Sequence, residues 1–278
     1  MKTIQQITKT YLEWAPMSLT IREVTRINAL RVLNQSNKIF DAARVLDIGC
    51  GDGKWWTHVM PEGLDRIHGI DISKKEIALA NSIISSQCLD VSADNFLDEI
   101  KFKKFDLIIG NCSLEHVYYI DKALKNIYAL LDEDGVFILL VPTPHWALKG
   151  KSIQFLHSLS PRLSMSFSGL INGFFQHWHL YNYNIWKSIL TNFNFKIDNV
   201  YGLGNGQSEF MFRLGLPTAF ISFLVKVLTG KYLNYFLGFI TPPVLRNWIS
   251  HKICYHLDQE LLGPQSPNVF EYMIVCRK

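Results

Sequence analysis

The run Val45-Leu46-Asp47-Ile48 is apolar but for one acid, and it leads straight into Gly49-Cys50-Gly51-Asp52-Gly53. Three glycines at alternate positions after a buried-strand pattern leave the chain few options. The backbone turns sharply, and a helix opening there presents its free N–H groups over the turn. Glycine also lets main chain approach a ligand where a side chain would clash, so a small polar ligand is expected above this loop. The next strand-like run, IHGID, ends at Asp71, 22 residues after Gly49, where a carboxylate can accept both hydroxyls of a ribose. A glycine loop with a distal acid also suits a dinucleotide oxidoreductase, but the spacing here is GxGxG and the GxGxxG pattern is missing.

Elements alternate around this loop. ARVLDI reads as a strand, KKEIALANSIIS as a helix, FDLIIG as a strand, IDKALKNIYALL as a helix and GVFILLVP as a strand. Such alternation means a parallel sheet with crossover helices. A third strand is expected at about Gln87 to Val91, and two more at residues 195–201 and 268–277, separated by 66 residues. Ahead of the loop, Ile21, Val24, Ile27, Leu30 and Leu33 recur at helical spacing within Ser18 to Asn34. One α/β domain carrying insertions is expected.

In this order, VLDIGCGDG, GIDIS, SADNF, FDLIIGNCSLEHV and LLDEDGVFILLVP resemble the class I S-adenosylmethionine-dependent methyltransferases, the ubiquinone-biosynthesis branch most of all. The resemblance covers roughly residues 40 to 200 and returns at the final strand. It implies a Rossmann-like, seven-stranded, mostly parallel sheet with helices on both faces, whose last two strands normally form an antiparallel hairpin. Here a helical insertion, Gly202 to Pro267, separates those two strands and departs from the family's minimal pattern. It also implies S-adenosylmethionine as cofactor and S-adenosylhomocysteine as product. Asp47, Gly49 and Gly51 then line the methionine and sulfonium end, and Asp71 holds the ribose, with Ile72 beside it in the cofactor-binding set. Asp94 and Asn95 meet the adenine, and Asn111 lies beside the transferred methyl. Asp94 is preferred to Asp90 because it precedes Asp106 by 12 residues, the family's usual offset. Asn194 stands where the family usually has glycine, and asparagine tolerates the left-handed backbone. The implied divisions are an N-terminal helical segment (1–40), a core (41–201 and 268–278) with a substrate cap at 142–182, and an insertion at 202–267.

Methyl transfer from a sulfonium needs an in-line nucleophile and little else, so proximity and orientation suffice for most of the rate. If the acceptor is a hydroxyl, a histidine can remove its proton. Ligands sit at strand carboxyl ends in open α/β sheets, which favours His116 and His145 over His177 and His179. Some quinone-pathway relatives hold a metal with a Glu-Glu-His set in this loop, but Ser113 stands two before Glu115, so no metal is expected. The aromatic cluster Phe174, Phe175, Trp178, Tyr181, Tyr183 and Trp186 suits either a pocket wall or a packed cap.

Charge is uneven along the chain. Through Asp134 there are 19 acids and 16 bases, and from Gly135 onward 5 acids and 12 bases. The 48 residues from Phe210 to Leu257 contain no acid, yet carry Arg213, Lys226, Lys231, Arg246 and Lys252 among apolar runs. Such an imbalance asks for an anionic partner. Those charge-free runs, 12 to 14 residues each, fall short of the roughly 20 that span a bilayer, so no transmembrane helix is expected. A segment lying in the headgroup region and an ordinary helical subdomain both fit. The expected partners are a small-molecule or lipid-linked acceptor and an anionic membrane surface. Nucleic acid is not expected, because the cations are scattered rather than gathered in a stripe. Five cysteines without a CxxC pair, and no signal-peptide-like run at the start, suit a cytoplasmic protein, with peripheral membrane attachment as an extension.

Overall fold

The computed structural model describes residues 2–145, 151–237, 242–257, 261–266 and 269–278. Parts of the expected cap (146–150), of the second apolar run (238–241) and of the expected last strand (268) lie outside the described residues. The chain forms two compact units. One is helical, Met1–Asn37 with Leu203–Val269, and the other carries the sheet, Lys38–Gly202 with Phe270–Lys278.

Helix α1 (Ile4–Trp14) opens with a capping box in which Thr3 and Gln6 satisfy each other's backbone N–H. Helix α2 (Met17–Asn37) buries Ile21, Val24, Ile27, Leu30 and Leu33, the residues whose spacing marked it. The sheet unit then runs β1 (Val45–Ile48), α3 (Trp56–Val59), β2 (Ile67–Asp71), α4 (Lys74–Ala80), β3 (Ser85–Cys88) and α5 (Phe96–Glu99). It continues with β4 (Phe105–Asn111), α6 (Ile120–Leu130), β5 (Leu131–Pro142), α7 (Lys151–Leu159), α8 (Pro161–Phe175), α9 (Tyr183–Asn192) and β6 (Lys196–Leu203). Helices α10 (Gly206–Thr229), α11 (Leu233–Leu237) and α12 (Pro243–His256) follow, and β7 (Glu271–Arg277) closes the sheet.

The seven strands lie in the order β3-β2-β1-β4-β5-β7-β6, parallel from β3 through β5, with β7 antiparallel to β5. Order reverses between β1 and β4, and the carboxyl ends flanking such a switch point form the ligand crevice of open α/β sheets. Strand β1 is buried throughout, as expected of a parallel strand covered on both faces. The register pairs Asp47 with Gly69 on β2 and with Ile109 on β4, which sets the ends of all three strands side by side.

Three local expectations shift. The third strand is Ser85–Cys88 rather than Gln87 to Val91, because Asp90 accepts from both the N–H and the hydroxyl of Ser92 and turns the chain there. The helix expected over residues 74–85 ends at Ala80, and the side chain of its cap, Asn81, holds the N–H and hydroxyl of Ser86 at the start of β3. In the helical unit, the 12-residue run after Arg213 does not stop at its flanking charges. Arg213 pairs with Glu209 at 2.7 Å, Lys226 lies over the Tyr232 ring, and α10 continues for 24 residues. Because it continues through Arg213 and Lys226, α10 is long and apolar enough to cross a membrane by length and composition alone. Asn194 adopts φ +66°, as its glycine-like place requires.

Candidate active site

The glycine loop is held between two neighbouring strands. The N–H groups of Gly49 and Cys50 both donate to the Ile70 carbonyl at 2.8 and 3.0 Å, and Gly51 N–H donates to Asp71 Oδ2 at 3.0 Å. On the other side an added Cβ on Gly49 would stand 2.5 Å from Ser113 Cβ, so the loop rests directly on the chain leaving β4. Gly49 and Gly51 have φ of +76° and +53°, where L side chains are strained. A Cβ on Gly51 would meet no protein atom within 4 Å. Among the described residues that side of Gly51 is open, which leaves a cradle for a ligand.

Two carboxylates frame this cradle. Asp47 is buried on β1, and Trp56 Nε1 donates to its Oδ2 at 2.6 Å. A charge so placed favours a cationic ligand group nearby. Asp71 accepts from Gly51 N–H and, at 2.8 Å, from Ser73 N–H, which fixes both its oxygens at the end of β2 with lone pairs left for hydroxyl donors. Ile72, the next residue, is an exposed apolar side chain. Cys50 sits among these acids, and burial first, then the Asp47 and Asp71 charges, pushes its thiol far above the ordinary range. It stays protonated and is no competing nucleophile.

Asn111 ends β4, half-buried, and Cys112 after it takes φ +51°, a strained value for a side-chain-bearing residue at a strand end. Beyond Ser113 the chain makes a short 3-10 turn, Leu114–His116. Glu115 is completely buried there, and its Oε1 lies 3.7 Å from His116 Nε2. Four hydrogen bonds clamp this turn to the segment after α8. Trp178 and His179 N–H donate to the Glu115 carbonyl at 2.9 and 3.1 Å, His116 Nδ1 meets the Gln176 carbonyl at 3.1 Å, and His179 Nε2 meets the Val117 carbonyl at 2.7 Å. The His116 and His177 rings stack with centroids 5.4 Å apart. One donor atom from each of Glu115, His116 and His177 lies within 4.8 Å of the others, a set chemically able to hold a divalent ion. The expectation of no metal counted ligands within one loop, and His177 enters from 61 residues further along the chain.

Asp47, Gly49, Gly51, Asp71 and Asn111 thus converge on the switch point, with His116 on the turn that follows. Asp94 and Asn95 lie exposed and make surface contacts of their own. The exposed Asp94 carboxylate pairs with Lys122 of α6 at 2.7 Å, and Asn95 donates to Glu99. Lys122, by hydrogen bond and charge, holds the Asp94 carboxyl below its ordinary value. Asp90 is closer in sequence to the end of β3, but its carboxylate is used in the Ser92 turn. His145 lies three residues past β5, its N–H on Thr143 Oγ1 at 3.2 Å. Trp56 and Gln176 also border the site and escaped sequence reasoning, and Ser113 enters that reasoning only as a missing metal ligand. Only Trp56 left a signal, as a tryptophan one helical opening beyond the glycine loop.

A glycine cradle and a carboxylate pair at the switch point of a seven-stranded sheet define a nucleoside-cofactor-binding α/β domain. Residues 21–200 match the family model described as "Methyltransferase domain", and the chain belongs to that family. Its cofactor is S-adenosylmethionine, whose cationic and ribose ends suit the buried Asp47 and the fixed Asp71. Among curated proteins, the chain is 35% identical over 112 residues to the rat mitochondrial "Arginine-hydroxylase NDUFAF5", which covers 37% of this chain and 31% of that protein. It is 27% identical over 155 residues to the "Ubiquinone biosynthesis O-methyltransferase" of Pelagibacter ubique (strain HTCC1062), covering 50% of this chain and 63% of that one. The chain therefore spans only about a third of the NDUFAF5 relative's length. Among solved structures, an S-adenosylmethionine-dependent methyltransferase from Mesorhizobium loti aligns with TM-score 0.53 at 13% identity, over 91% of this chain and 98% of that one. The [4+2]-cyclase SpnF aligns with TM-score 0.53 at 16% identity, over 92% and 80%. These structures share the fold.

Proposed function

We propose that the protein methylates a hydroxyl on a small-molecule or lipid-linked acceptor, with His116 taking the proton. The observation that carries this reading is the contact of Gly49 with Ser113, which joins the cofactor loop to the segment that presents Glu115 and His116. When bound, S-adenosylmethionine supplies a methyl group activated by its sulfonium. The protein's part is to hold and orient. Asp47 balances the cationic end, Asp71 fixes the ribose, and Asn111 lines the crevice near the reacting end. His116 donates Nδ1–H to the Gln176 carbonyl, which leaves the Nε2 lone pair to accept the acceptor's proton, and the adjacent Glu115 carboxylate stabilises the imidazolium that results. Asp94 and Asn95 take part in adenine binding only if the Lys122 and Glu99 contacts open. The match to a ubiquinone O-methyltransferase supports a hydroxyl acceptor, and the free state of all five cysteines fits a reducing cytoplasm.

The test uses S-adenosylmethionine labelled in the methyl group, purified protein and an extract of source cells, split afterwards into organic and aqueous phases. Label in the organic phase is the expected result, and His116→Gln should lower transfer about 10²-fold or more while cofactor affinity stays unchanged. No label in either phase with cofactor binding intact overturns the reading in favour of a binding-only adaptor.

A further inference from the structure

Helix α10 is built inside out for a helix in water. Its buried positions are Ser208, Glu209, Phe212, Gly215, Ala219 and Ser222, which follow one face at helical spacing and are mostly small or polar. Its exposed positions include Phe210, Leu214, Phe220, Ile221, Leu224, Val227 and Leu228, the last 84% exposed. They follow the opposite face. A helix packed on a soluble core shows the reverse, large apolar residues inward and polar ones outward. Small residues inward and large apolar residues outward is the pattern of helices that pack backbone to backbone in lipid. The close approach is real here. A Cβ on Gly215 would lie 3.0 Å from the Ser18 N of α2 and 3.4 Å from Ser18 Cβ.

We infer that the outer face of α10 seats the helical unit in the acyl boundary of an anionic bilayer, lying along it rather than crossing it. Orientation follows from α2, which covers the inner face and carries Arg22, Glu23, Arg26 and Arg31. A spanning α10 would carry that charged helix into hydrocarbon, whereas a helix lying in the interface keeps it on the water side. Charge selects the lipid. No acid occurs from Phe210 to Leu257, while Lys226 and Lys231 stand at the carboxyl end of α10, over the rings of Tyr232 and Tyr235. Lys231 and the exposed Tyr235 there match the headgroup level, while Tyr232 is buried within the helical unit. Helices α11 and α12 add exposed Tyr235, Phe236, Val244 and Trp248. The inference adds a lipid surface to the methyl-transfer reading and does not depend on it.

Full-length protein is sedimented with vesicles of phosphatidylcholine alone and of phosphatidylcholine with phosphatidylglycerol. Binding to both is expected, tighter to the anionic vesicles. The double variant Leu224→Glu/Leu228→Glu changes two exposed side chains and should lose at least ten-fold in partitioning, with its circular dichroism and cofactor affinity unchanged. Lys226→Gln/Lys231→Gln should lose the preference for anionic lipid while keeping binding to the neutral vesicles. Wild-type protein that binds neither vesicle overturns the inference, and so does a Glu variant that binds as wild type. Self-association that the Glu variant abolishes, without vesicle binding, assigns the face to a second copy and also overturns it. Failure of methyl transfer leaves these outcomes untouched.

Discussion

The apolar residues of the sheet unit and of the helical unit are used in opposite ways. In the sheet unit, β1 is buried throughout and six of the seven residues of β7 are buried, so each apolar side chain is covered by strand or helix neighbours. In the helical unit, α10 is 24 residues long and its large apolar side chains face outward, while serine, glycine and alanine line its contact with α2. Hydropathy counts apolar residues without saying what will cover them. In β1 the cover is the protein itself, whereas the large apolar side chains of α10 stand exposed, and the cover proposed for them is a lipid surface.

The widest contrast should come from equal truncations in the two units. Leu46→Ala removes a fully buried side chain beside Asp47 and should destabilise the fold by about 2–5 kcal/mol, read from denaturant midpoints. Leu228→Ala in water should change stability by less than about 0.5 kcal/mol. Equal losses would mean that α10 is covered in solution, and the contrast would fail.

Within the sheet unit, the site and the core can be separated in turn. Asp71→Asn keeps the size of the side chain but removes a charge that holds the loop N–H groups. It should weaken S-adenosylmethionine by about 1.5–3 kcal/mol in a calorimetric titration, with a smaller effect on stability. Gly51→Ala should cost about 1–2 kcal/mol of stability for its left-handed backbone and weaken the cofactor further, since its methyl enters ligand space alone.

The smallest expected effect is on pH dependence. His68 of β2 is buried between Ser85 Oγ and Gln87 Oε1, and burial holds its pKa below the ordinary value. The unfolded chain therefore binds the proton more readily than the folded one. The stability from neutral His68 is present above about pH 6.5 and declines as pH falls from there toward the lower folded value. Denaturation midpoints at pH 7 and pH 5 should converge in His68→Gln relative to wild type.

Much of the sheet unit is legible in sequence because its signals are local. The glycine loop, Asp71 and Asn111 each sit at the end of an apolar run, and parallel pairing of those runs is enough to bring the ends together. Asp94 shows the limit of that logic. Its place relative to Asp106 implies an adenine contact, and the fold adds a partner that no local signal marks, Lys122, 28 residues away on α6, which pairs with its exposed carboxylate. Ser113 against Gly49 is invisible as a partner until the chain is folded, and Trp56, marked only as a tryptophan just past the glycine loop, is not tied by any local signal to Asp47. The His116 to Gln176 contact joins residues 60 apart, and no periodicity links a turn after β4 to the C-cap of α8.

The sequence by itself determined the alternation, the ligand loop and the acid at the end of the second strand, because strand period, glycine freedom and strand-end carboxylates act over a few residues. Tertiary structure alone decided that Glu115, His116 and His177 meet, that Asp94 turns to α6, and that the apolar face of α10 points away from its neighbours. Those outcomes depend on which surfaces pack against which, and packing is set by the whole chain at once.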